Sequence, residues 1–136
     1  MKRSLKARIL LPLLVLTVAF AVAMAGLAAA LVTPTSLTLH APKQVTAGQS
    51  FTVHGKVVSS LQRCRNGRTV TLYIDGNADG SATAAPNGDY TITAPGLTPG
   101  HHNLQTKTPS TVLPTPHNNR HTCHNARSAV HKVHAT

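Results

Sequence analysis

Between residues 36 and 93 the chain alternates between apolar and polar positions. Ser36-Leu37-Thr38-Leu39-His40, Ser50-Phe51-Thr52-Val53-His54, Thr69 to Ile74 and Asp89 to Thr93 each place an apolar side chain at every second residue. Side chains leave a strand on opposite faces with period two, so these segments read as half-buried strands of an antiparallel sheet. Each such strand has one face to cover, and covering it requires a second layer. Between the strands stand Ala47-Gly48-Gln49, Asn66-Gly67, Asp75-Gly76, Asp79-Gly80, Asn87-Gly88 and Pro99-Gly100, which supply the backbone freedom of turns. Short strands punctuated about every ten residues predict an all-β sandwich or barrel. A further strand is expected at Asn103 to Lys107. Thr108 to Pro116 (TPSTVLPTP) reads as an extended connection, and His117 to Thr136 as a solvated polar tail in which a last strand fits Ser128 to Val133.

The beginning of the chain obeys a different rule. Lys2, Arg3, Lys6 and Arg8 precede an uncharged run from Ile9 to Val32, and Ala23-Met24-Ala25 and Ala28-Ala29-Ala30 offer small-residue cleavage sites. That order is the pattern of a signal peptide. The run is also long enough for an uncleaved membrane anchor, which needs ~20 apolar residues. Residues 1–30 are therefore expected to be a signal peptide or anchor helix. Residues 31–136 form one domain, secreted or held at the cell surface after export across the cytoplasmic membrane.

The exported part is strongly basic. Nine Lys or Arg from Lys43 to Lys132 face only Asp75, Asp79 and Asp89, and the chain contains no Glu. Such a balance favours anionic partners: wall polymers, lipid headgroups or extracellular nucleic acid. The two cysteines, Cys64 and Cys123, are expected to form a disulfide in an oxidising compartment. Closing a loop of that size stabilises by about 4 kcal/mol on the chain-entropy account.

The run TVTLYIDGNADGSATAAPNGDYTITAPGLTPGHHNL, Thr69 to Leu104, resembles the recurring core of bacterial Ig-like domains. Those modules show a strand ending in Tyr-x-Asp-Gly, a Gly-Ser-Ala-Thr return, an Asn-Gly turn, a Tyr-x-Ile-Thr strand and a Leu-Thr-Pro-Gly-x-His corner. Ala47 to Val57, with its Val-x-Gly step, is similar to their opening strand. The resemblance covers about the central half of the chain and implies an Ig-like Greek-key β-sandwich used as a spacer or adhesive module. Carboxypeptidase regulatory-like domains, with the same Asn-Gly-Asp-Tyr turn, are the close alternative.

Three sets of residues are candidates for binding. His117, His121, His124, His131 and His134 place five imidazoles within eighteen residues, and His101-His102 come near them if the disulfide folds the tail back. Imidazole suits zinc and copper, so this segment is a candidate transition-metal site. Arg63, Arg65 and Arg68 bracket Cys64 and are a candidate patch for polyanions. No stacking aromatics are interleaved with them, so specific nucleic-acid recognition is not expected. Asp75 to Gly80 matches the front half of a calcium loop, but Pro86 stands where the twelfth-position Glu belongs, and a hairpin connection serves the same residues.

The sequence shows no G-x-S-x-G elbow, no paired carboxylates of the glycosidase kind and no phosphate-cradling glycine loop. The expectation is a non-catalytic, adhesion-type or structural module with an extracellular partner. A metal-binding protein and a cationic polymer binder are the alternatives.

Overall fold

The structure, a computed structural model, describes residues 31–115 and 120–136. The expected signal or anchor segment and His117 lie outside the described residues. Among the described residues no helix is long and apolar enough to cross a membrane.

Among the described residues twelve strands follow in order: β1 Leu31–Thr33, β2 Ser36–Leu37, β3 Gln44–Val45, β4 Phe51–Val58, β5 Thr69–Ile74, β6 Asn77–Thr83, β7 Asp89–Ala94, β8 Gly100–Thr108, β9 Thr111–Leu113, β10 His121–Cys123, β11 Ala126–Arg127 and β12 His131–Ala135. One layer has the order β2-β4-β7 and the other β3-β12-β8-β5-β6, with β11 added beside β8. The chain crosses from one layer to the other between β2 and β3, β3 and β4, β4 and β5, β6 and β7, and β7 and β8. This is an Ig-like Greek-key sandwich. Two pairings are parallel, β12 with β3 and β1 with β10. A third small sheet, β1-β10-β9, closes one end.

The alternation fills the space between the layers. Val53, Val57, Tyr90, Ile92 and Ala94 from one sheet meet Val70, Leu72, Ile74, Leu104, Val133 and Ala135 from the other, all of them buried. Asp75 and Gly76 both have positive φ, 50° and 85°, and join Ile74 to its partner Asn77 as a two-residue hairpin turn.

Three expectations need correcting. Asp79-Gly80 is not a turn: the pairing jumps from Leu72↔Gly80 to Tyr73↔Ala78, so Asp79 is the extra residue of a bulge within β6. The Pro-flanked connection contains strand β9, paired to β10. The tail is no solvated appendage, because β10, β11 and β12 build it into two of the sheets.

Candidate functional site

Cys64 and Cys123 are joined in a disulfide, their Cα atoms 5.3 Å apart, and both are fully buried. Cys64 ends a short 3-10 turn, Gln62–Cys64, between β4 and β5, while Cys123 ends β10. The bond ties the end sheet to the body of the sandwich. Arg68 completes the junction. Its guanidinium donates to the carbonyls of Cys64 (3.2 Å), His124 (3.0 Å) and Pro109, and the residue is only 3% exposed.

Arg68 is therefore not part of a surface patch with Arg63 and Arg65. It continues inward the alternation of Val70, Leu72 and Ile74, and burial pushes its pKa down. Arg63 remains exposed and Arg65 is half-buried. The sequence held the signal, since extending the period of β5 back by one step places residue 68 on the core face.

The described histidines of the tail fall in separate places. His121 sits in β10, with its Nε2 against the Thr33 hydroxyl of β1. His124 lies beyond the disulfide, its Nδ1 3.2 Å from the Asn125 carbonyl oxygen. His131 begins β12, and His134, near its end, stacks on His101 of β8 at 4.4 Å between ring centres. Among the described residues no group of three or more His, Cys, Asp or Glu is placed to hold a metal ion.

His102 pairs with Asp75. Its Nδ1 donates to Asp75 Oδ2 at 2.6 Å and its Nε2 to the Thr98 carbonyl at 2.8 Å, so both ring nitrogens face acceptors. The imidazolium alone satisfies both, and its pKa is raised, first by the Asp75 hydrogen bond and then by the Thr98 carbonyl. Asp75 also accepts the Asn103 backbone N–H at 2.8 Å. Both carboxylate oxygens of Asp75, the first residue of the calcium-loop candidate, are thus engaged in holding the hairpin against β8. The dyad leaves no ring nitrogen to activate a nucleophile.

The feature that offers a partner most is a cleft of about 810 Å³ where β2, β5, β8 and β11 meet. Its walls include Tyr73, Lys107, Arg127 and His124, with hydroxyls from Thr35, Ser36 and Thr71. Thr71, Lys107 and Arg127 form a row across three strands, as register partners on β5, β8 and β11. The Lys107 ammonium lies over the Tyr73 ring, 4.3 Å from its centre. Like charges set directly opposite in an antiparallel pair destabilise it. Elsewhere the fold follows the opposite practice: Lys56 and Asp89 are partners on β4 and β7 and form an ion pair at 3.5 Å. Among the described residues the only other ion pair is His102 with Asp75, so Lys107 and Arg127 face the cleft without a carboxylate. Thr108, also in the lining, is 2% exposed, and its Oγ1 has no hydrogen-bond partner among the described residues. Sequence reasoning missed this cleft because its two cations are twenty residues apart and come together only through the pairing of β8 with β11.

No protein-family description matches the chain, and no curated protein matches it. Among the solved structures similar in shape are two of one domain. One is the solution NMR structure of the CARDB domain of PF1109 from Pyrococcus furiosus, at 16% identity and a TM-score of 0.49, covering 78% of this chain and 97% of that one. The other is the crystal structure of the CARDB domain of PF1109 in complex with di-metal ions, at 16% identity and a TM-score of 0.48, covering 76% of this chain and 93% of that one.

Proposed function

We propose that this chain is an exported, non-catalytic Ig-like module that holds an anionic polymer of the cell surface or its surroundings. The observation that carries the reading is the facing pair Lys107 and Arg127, two cations without carboxylates on the wall of a hydroxyl-lined cleft. Cations of this kind bind phosphate, sulfate or carboxylate groups, and hydroxyls complement the oxygens between them. Export is supported by the basic and apolar start of the sequence and by a buried disulfide suited to an oxidising compartment.

Dextran sulfate is a suitable probe. Binding by the full chain is expected to weaken linearly, on logarithmic axes, as salt rises, because bound counterions are released from the polymer. Absence of binding at low salt, or binding indifferent to salt, would refute the reading.

A further inference from the structure

His101 and His134 are register partners on β8 and β12. The His134 backbone N–H donates away from β8, to the Lys43 carbonyl at 2.9 Å. On the β8 side the two residues are therefore a non-hydrogen-bonded pair, the closer kind, with Cα atoms about 4.5 Å apart and side chains drawn together. The rings confirm it, stacked at 4.4 Å between centres with planes 18° apart.

A second cross-strand pair shows the difference. His40 and His54 exchange both backbone hydrogen bonds, at 2.7 and 3.0 Å, and their ring centres stand 5.5 Å apart.

Neither ring of the closer pair has a hydrogen-bond partner among the described residues, so their nitrogens are uncommitted. Two nitrogens bound to one transition ion lie about 3 Å apart, given metal–nitrogen distances of ~2.0–2.1 Å. Rotation about the Cβ–Cγ bonds brings neighbouring imidazoles from a stacked arrangement to that separation. Asn103 and Gln44, register neighbours on the same outer face, add amide oxygens, and Lys132 adds an opposing cation.

We infer that His101 and His134 form a two-imidazole chelate for a borderline divalent transition ion, with copper favoured. Imidazole suits copper, nickel and zinc, and of the divalent first-row ions copper binds a given nitrogen site most tightly.

The test titrates Cu2+ into the full, oxidised chain and follows the backbone amides by NMR. Paramagnetic broadening should centre on His101 and His134. His101→Gln and His134→Gln should each weaken binding at least tenfold, His54→Gln should leave it unchanged, and Lys132→Gln should tighten it several-fold. Unchanged spectra elsewhere establish that the variants fold. Broadening centred on His121 and His124, or full affinity in His134→Gln, would overturn the inference.

Discussion

Gly55 and Tyr90 stand opposite one another on β4 and β7, and the side chain that Gly55 lacks is the space the Tyr90 ring and hydroxyl occupy. A Cβ at position 55 would lie 2.0 Å from the Thr38 carbonyl oxygen and 2.5 Å from the Tyr90 hydroxyl. The hydroxyl donates to that carbonyl and shares a hydrogen bond with Thr106 Oγ1 at 2.9 Å. Gly55→Ala is expected to cost about 1–3 kcal/mol through overpacking. Tyr90→Phe should cost about 1–2 kcal/mol through the lost hydrogen bonds. Urea unfolding measures both, and a neutral Gly55→Ala would contradict this view of the core.

Arg68 and the disulfide act as one unit, because the guanidinium holds the carbonyl of Cys64 itself and that of His124, next to Cys123. Arg68→Met leaves buried carbonyls without a donor and should cost about 3 kcal/mol or more, since hydrogen bonds to charged groups contribute ~1.5–3 kcal/mol each. Loss of the disulfide should cost about 4 kcal/mol. The two losses together are expected to fall short of their sum, which a double-mutant cycle with Cys64→Ser/Cys123→Ser would show.

The Asp75–His102 pair gives the domain a pH window. His102 has a raised pKa, so its contribution is complete below the unfolded value of about 6.5 and is lost as pH rises through the folded pKa. Asp75 has a lowered pKa, first through the Asn103 N–H and then through His102, so its contribution is present above the unfolded value of about 3.9 and is lost as pH falls through the folded pKa. The pair therefore stabilises most between about pH 4 and 6.5. Thermal unfolding from pH 3 to 9 should show Asp75→Asn losing most in that interval. Parallel curves for the two proteins would count against it.

The strands with branched or aromatic residues at every second position were readable from the sequence: β5 and β7 lie where the alternation put them, and β4 and β8 extend it. Strand β6 was hidden because Ala, Asp, Gly and Ser have low β-propensity, and its place is fixed by pairing with β5. The disulfide agrees with the expectation drawn from a count of two cysteines and an export-type start. The cleft could not be read in advance, since it depends on a two-residue strand, Ala126–Arg127, that forms only beside β8.

The central claim, that Lys107 and Arg127 hold an anionic polymer, is tested most directly by two double variants with equal charge change. Lys107→Ala/Arg127→Ala and Arg63→Ala/Arg65→Ala each remove two cations, the first pair from the cleft and the second from the loop near Cys64. If the cleft is the site, the first should weaken dextran sulfate binding at least tenfold and lower the salt slope by about two, roughly one per lost contact. The second should change both far less. Equal losses in the two variants would show that net charge alone drives binding, and would contradict the cleft as the site.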